Sequence, residues 1–208
     1  MTNRTGEATK GGLRRSPSGS SIRECIMKIA FVPLVLPIIL GASACATASA
    51  GGAASKEAAP VARAQLKAGD GSTRGEATVT EAADGLHVLV KAQGLTPGIH
   101  AVHVHTTGTC TPPDFTSAGG HWNPTNHKHG KDNPQGMHMG DMPNMLAGSD
   151  GVGEMEYVIP GGTISSGATP LLDADGAAVV IHAQADDNMT DPAGNAGGRV
   201  ACGVLSAG

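Results

Sequence analysis

Apolar and polar positions alternate in short runs at 61–67, 73–80, 86–92 and 100–105, and the runs are divided by Gly69-Asp70-Gly71, Ala83-Asp84-Gly85 and Thr96-Pro97-Gly98. Successive strand side chains point to opposite faces, so a period of two marks half-buried strands, and Gly/Asp/Pro clusters mark the turns between them. A second group follows at 153–159, 177–182 and 199–205, with a weaker candidate at Leu171-Leu172. About eight short antiparallel strands predict an all-β domain, a Greek-key barrel or sandwich. The two groups are separated by 106–151, a stretch rich in Gly, Pro, His and Asn with no strand pattern. A structureless loop of that length is normally functional or disordered.

The pattern changes before residue 61. Residues 1–26 are polar, and Met27-Lys28 leads into a 12-residue apolar run at 29–40 that contains Pro33 and Pro37. A membrane-spanning helix needs about 20 apolar residues. A charged start, a shorter apolar run and small residues after it make a secretory signal instead. The segment Leu40-Gly41-Ala42-Ser43-Ala44-Cys45 resembles a bacterial lipobox, with Ala42 where Leu is usual, and predicts lipidation of Cys45. The rival cut, after Ala48-Ser49-Ala50, releases a soluble protein. The reading is therefore a leader at 1–44, a flexible tether at 45–60 and a folded domain at 61–208. Within the leader, 1–26 is read as an over-extended start and 27–44 as the signal peptide. It places the protein in the periplasm or cell envelope, touching a membrane only through the lipid on Cys45.

The chain holds 31 Gly, 13 Pro and four aromatic residues, with a formal net charge of -4 and no sustained basic run. That balance excludes long amphipathic helices, and the absent basic run excludes nucleic-acid binding. With Cys25 lost in the leader and Cys45 lipidated or removed, Cys110 and Cys202 remain. Two thiols in an exported domain form a disulfide by default, the alternative being two buried free thiols.

Seven of the nine His fall between His100 and His138. His103 and His105 share one face of a strand, so both rings can converge on one ion. The loop adds His121, His129, His138 and Asp141, and His182 ends a later strand. Imidazole suits copper and zinc, and carboxylate suits zinc better than Cu(I). Six His and one Asp exceed one tetrahedral site and suffice for two if one ligand is shared.

Four separated motifs carry a resemblance over roughly 64–205. They are Gly98-Ile99-His100-Ala101-Val102-His103-Val104-His105, Thr116-Ser117-Ala118-Gly119-Gly120-His121-Trp122-Asn123-Pro124, His138-Met139-Gly140-Asp141-Met142-Pro143-Asn144 and Gly194-Asn195-Ala196-Gly197-Gly198-Arg199-Val200-Ala201-Cys202-Gly203-Val204. The domain resembles the copper/zinc superoxide dismutases of the exported bacterial kind. The resemblance implies copper on His103, His105, His121 and His182, zinc on His121, His129, His138 and Asp141, and His121 as the bridge. It matches Asp186 to the carboxylate that ties a copper His to a zinc His, Arg199 to the cation lining the channel to copper, and Cys110 and Cys202 to the family's half-cystines. The implied reaction is disproportionation of superoxide to dioxygen and hydrogen peroxide by copper cycling between Cu(II) and Cu(I), with His121 and Arg199 as the catalytic side chains. A monomer and a homodimer both stay open. The chain departs from the family pattern at Ala101 and Val102, where Gly and an aromatic are usual, and between His182 and Arg199, a short stretch without Lys. His100 reads as a structural histidine, His87 and His127 as surface residues, and Asp187 as a solvated acid. Met137, Met139, Met142 and Met145 leave one rival, an exported copper/zinc buffer without turnover, against adaptable packing by the four thioethers.

Overall fold

The computed structural model describes residues 58–208. The predicted leader, signal peptide and Cys45, together with the tether as far as residue 57, lie outside the described residues. Ten strands follow: β1 (Val61–Lys67), β2 (Thr73–Ala82), β3 (Gly85–Ala92), β4 (Gly98–His100), β5 (Val102–His105), β6 (Met145–Ala147), β7 (Gly153–Pro160), β8 (Ala178–His182), β9 (Arg199–Val204) and β10 (Ser206–Ala207). Among the described residues the one helical element is a 3-10 turn at Thr116–Ala118.

The strands form one antiparallel sheet in the order β4-β6-β7-β3-β2-β1-β9-β8-β5, with β10 paired to β1. Strands β1, β2 and β3 are a meander. The chain then crosses past β7 and β6 to reach β4, and after β7 it crosses again to β8, as a Greek key requires. The two outermost strands, β4 and β5, are consecutive in the chain and separated by Ala101 alone. Its N–H donates to the Gln184 carbonyl at 2.8 Å and its carbonyl accepts from the His182 N–H at 2.9 Å. The sheet's two edges thus meet at one residue, and the sheet curls into a nearly closed barrel.

Alternation fills that barrel. Ala62, Ala64 and Leu66 of β1, Ala77 and Val79 of β2, and Leu86, Val88 and Val90 of β3 point inward, where they meet Val102, Val104, Ile159, Val179, Ile181 and Trp122. Each buried Val, Leu or Ile contributes roughly 1.5–3 kcal/mol. Strand β8 is buried on both faces, because Ala178 and Val180 turn outward under Phe115, Ala118 and Cys202. The Cys110–Cys202 disulfide, with Cα atoms 5.7 Å apart across 92 positions of sequence, holds the first part of the long loop against that outer face.

Three details differ from the alternation pattern. The run at 100–105 is two strands with different partners, β4 on β6 and β5 on β8. The long loop contains β6. Leu171 and Leu172 form no strand: their N–H groups bond the carbonyls of Thr163 and Ile164, at 2.8 Å each, beside the isolated Thr163–Pro170 bridge.

Candidate metal centre

Strand β5 sends Val102 and Val104 into the barrel and His103 and His105 outward. Both imidazoles are nevertheless buried, because the long loop folds back along the free edge of β5. Val104 N–H donates to Gly140 O at 2.9 Å, Trp122 N–H to Val104 O at 2.8 Å and Thr106 N–H to Gly120 O at 2.9 Å. This pairing sets His121 beside His105 and Asp141 beside His103. His182 arrives from the end of β8, the partner of β5.

Two four-residue groups of donors result, each with its ligand atoms within 4.8 Å of one another: His103, His105, His121 and His182, and then His121, His129, His138 and Asp141; the trio His103, His129 and Asp186 lies between them. His121 belongs to both. In the first group His105 Nε2 and His182 Nε2 are 3.4 Å apart. In the second, Asp141 Oδ1 lies 2.7 Å from His121 Nδ1, 3.1 Å from His129 Nδ1 and 3.2 Å from His138 Nδ1. His121 Nδ1 and His138 Nδ1 are separated by 3.4 Å. Tetrahedral ligands held about 2.0–2.1 Å from an ion sit about 3.3 Å from one another.

The donors fit metal by a second criterion. Among the described residues two buried ring nitrogens of these groups, His103 Nδ1 and His121 Nε2, have no hydrogen-bond partner, and a third, His129 Nδ1, faces Asp141 Oδ1 at 3.1 Å without hydrogen-bond geometry. An unpaired buried polar atom costs about 1–3 kcal/mol, and a bound cation removes that cost.

In four of the six rings the other nitrogen is committed, which fixes the donor that remains. His103 Nε2–H donates to Asp186 Oδ2 at 2.7 Å, and His129 Nε2–H to Asp186 Oδ1 at 3.0 Å. One carboxylate thereby ties the two groups together. His105 Nδ1–H donates to Gly119 O at 3.0 Å and His182 Nδ1–H to Gly197 O at 3.4 Å. Asp186 is held in turn by Asn144, whose side chain accepts from Asp186 N–H at 2.8 Å and donates to Asp186 O at 2.9 Å. Gly194 packs so closely here that a Cβ would overlap Asp186 Oδ1 and His129 Nε2. Asp141 Oδ2 accepts from Gly130 N–H at 2.8 Å and His138 N–H at 3.0 Å.

These contacts set the charge of the centre. Burial, reinforced by the neighbouring His103 ring, pushes His121 down to about 4 and His182 to about 3. Burial also holds His105 well below the usual histidine range. His105, His121 and His182 are therefore neutral rings at neutral pH. Burial opposes protonation of His129 as well, but the Asp141 carboxylate facing Nδ1 and the Asp186 carboxylate bonded to Nε2 outweigh it and raise His129 to about 9. Burial would raise both aspartates, yet hydrogen bonds from His121, His129 and His138 hold Asp141 far below its usual range, and those from His103 and His129 do the same for Asp186.

Arg199, at the start of β9, donates from Nη1 to Phe115 O and from Nη2 to Gly119 O, both at 2.6 Å. It shares the Gly119 carbonyl with His105. Lys128 and Lys131, the other loop cations, pair with Asp191 at 3.0 Å and with Asp132 at 2.9 Å.

His100 is buried outside both groups, with its nitrogens on His182 O at 2.7 Å and Thr96 O at 2.8 Å. His87 pairs with Asp84 on the outer sheet face, and His127 is exposed beside Asn123. Met142 and Met145 pack in the barrel core, and Met139 packs against it. Asp187 is more than a solvated acid, since it accepts four hydrogen bonds from Met189, Thr190 and Asn195. The carbonyls of Gly119 and Gly197 carry no side-chain signal that sequence reading could use. Asp191 likewise carries no motif that separates it from other acids of a polar loop.

A family model for copper/zinc superoxide dismutase (SODC) matches residues 73–205. The chain belongs to the copper/zinc superoxide dismutase family. It is 46% identical over 147 residues to the Cu-Zn superoxide dismutase of Caulobacter vibrioides, covering 69% of this chain and 84% of that one. The crystal structure of a SOD-like protein from Bacillus subtilis matches with a TM-score of 0.67 at 39% identity, over 69% of this chain and 97% of that one. The Cu/Zn superoxide dismutase from Brucella abortus matches with a TM-score of 0.57 at 30% identity, over 70% and 99%. Within this family the chain keeps a full set of donors for both groups and the Cys110–Cys202 disulfide.

Proposed function

We propose that this chain disproportionates superoxide, two superoxide anions and two protons yielding one dioxygen and one hydrogen peroxide. Copper is held by His103, His105, His121 and His182, and zinc by His121, His129, His138 and Asp141. One observation carries the reading: His121 contributes to both donor groups, with Nδ1 on the Asp141 side and Nε2 buried and unpartnered. When bound, copper supplies reversible one-electron chemistry and zinc a fixed charge without redox activity. The protein supplies the rest. His121 Nε2 is the atom at which a proton is held or given up beside the copper group, while Nδ1 keeps the ring in place. Asp186 and the Gly119 and Gly197 carbonyls aim the other rings. Arg199, fixed by two carbonyls, presents positive charge beside His105 to attract the substrate anion.

The buffer reading is not favoured, since Met142 and Met145 are core residues, and storage needs no shared imidazole. The test is superoxide consumption by protein whose copper and zinc are both quantified. Activity that tracks copper occupancy is expected. Full occupancy without activity refutes the proposal.

An exported, cell-envelope location with lipid on Cys45 belongs to the same proposal, supported by the order of charge, apolar run and small residues. Wild type should partition into detergent and Cys45→Ala should not. A Cys45→Ala protein that stays in the detergent phase excludes the lipid anchor.

A further inference from the structure

Asp191 lies on the 183–198 stretch that also carries Asp186, and it has no part in the reading above. Its Oδ1 accepts the His129 N–H at 2.9 Å. The same oxygen lies 4.0 Å from His138 Nε2, the outward nitrogen of a ring whose Nδ1 faces Asp141 at 3.2 Å. Its Oδ2 accepts from Lys128 Nζ at 3.0 Å. One carboxylate therefore meets the backbone of one zinc-side histidine, the ring of a second, and the side chain preceding the first. Around it the two loops are stitched together by Asp132 N–H on Asn188 O at 3.0 Å and Asn133 Nδ2 on Met189 O at 3.2 Å. The turn presenting Asp191 is itself held by Asp187, which accepts from Thr190 N–H at 2.8 Å and Thr190 Oγ1 at 2.6 Å.

We propose that Asp191 is a positioning residue for zinc, clasping the loop of His129 and His138 onto the loop of Asp186 and setting how long zinc is retained. The inference rests on the zinc assignment above. Asp186 fixes the His129 ring from its far nitrogen, and Asp191 fixes the backbone from which that ring swings. At 4.0 Å the Asp191 carboxylate reaches His138 through its charge and not through a hydrogen bond, while its bond to His129 N–H is direct; outer partners of metal ligands change metal affinity by about 10–100-fold. The exposed pair with Lys128 contributes little by itself. The effect belongs to the carboxylate and not to the ion pair.

The experiment loads the full chain with copper and zinc and follows zinc release to excess chelator at neutral pH, with copper content and the melting temperature of the metal-free protein measured in parallel. Asp191→Ala should release zinc on the order of tenfold faster, with copper content and metal-free melting unchanged. Asp191→Asn should fall between, because its amide oxygen still accepts from His129 N–H but brings no charge to His138. Lys128→Met should stay within about twofold of wild type. If wild type holds zinc and Asp191→Ala releases it at the wild-type rate, the inference fails and the zinc assignment stands. If copper is lost in step with zinc, or metal-free melting falls, Asp191 is a general structural residue and the inference fails. A wild type that holds no zinc overturns both.

Discussion

Asp186 offers the sharpest test of how the two donor groups are coupled. Its oxygens are not equivalent: Oδ1 accepts from His129 Nε2 at 3.0 Å and Asn188 N–H at 2.6 Å, whereas Oδ2 accepts only from His103 Nε2 at 2.7 Å. Asp186→Ala removes both ring partners where the His103 and His129 side chains are 0% exposed. Each orphaned N–H then costs about 1–3 kcal/mol, and each metal affinity should fall about 10–100-fold, or roughly 1.4–2.7 kcal/mol. Asp186→Asn is more selective. Its amide oxygen belongs at the Oδ1 position, where two donors converge, so its NH2 must face the His103 Nε2–H. To avoid that clash the His103 proton moves to Nδ1, the nitrogen that copper needs. Asp186→Asn should therefore weaken copper about 10–100-fold and zinc much less, while Asp186→Ala weakens both. Competition against chelators of known affinity, with each metal quantified, separates the cases. An Asn variant that loses zinc and keeps copper, or an Ala variant that affects one metal alone, refutes the assignment of the two oxygens.

Arg199→Ala should lower the second-order rate about tenfold, or ~1.4 kcal/mol, with metal content unchanged; a rate within twofold removes Arg199 from substrate attraction. Residues 45–208 hold eight Lys or Arg against sixteen Asp or Glu, a formal -8, and both loop lysines are paired. The local positive field therefore rests on Arg199 and the metals, and the wild-type rate should fall as salt screens it beyond about 10 Å at 0.1 M; a rate that rises with salt shows that net repulsion dominates. Reducing Cys110–Cys202 should cost the metal-free protein about 4–5 kcal/mol by chain entropy, read by denaturant unfolding, and a loss under about 1 kcal/mol contradicts this. Because His129 is raised to about 9, its charge stabilises the metal-free fold fully below the ordinary histidine value near 6.5, and that contribution is lost as pH rises through 9. Zinc uptake at pH 7.5 should accordingly release about one proton from His129, and none well above pH 9; calorimetry in two buffers of different ionisation enthalpy measures it, and no release at pH 7.5 contradicts the raised value.

Much of this was legible in the alternation of residues, and what was not has identifiable physical causes. Strands β1, β3 and β7 bury one clean face, so a period of two marks them. Strand β8 was legible as a continuous apolar run because Phe115, Ala118 and Cys202 cover its outer face. The break at Ala101 was invisible, since it arises from backbone bonds to residues 182 and 184, far along the chain. Strand β6 is three residues whose pairing with β4 is non-local, inside a loop rich in Gly, Pro and Met. The seven donor side chains stand out by residue type and motif. Their orientation does not, because Gly119 O, Gly197 O and Gly130 N–H act through the backbone, where every residue looks alike. Asp191 was indistinguishable from a solvated acid until the fold set it beside His129 and His138.

The claim on which everything else depends is that one imidazole serves two metals. Diffraction from copper- and zinc-loaded crystals, recorded at the absorption edges of both elements, tests it directly. The expected result is one copper peak among His103, His105, His121 and His182, one zinc peak among His121, His129, His138 and Asp141, and the His121 ring between them with a nitrogen toward each. A single peak, or two peaks of which only one touches His121, contradicts it.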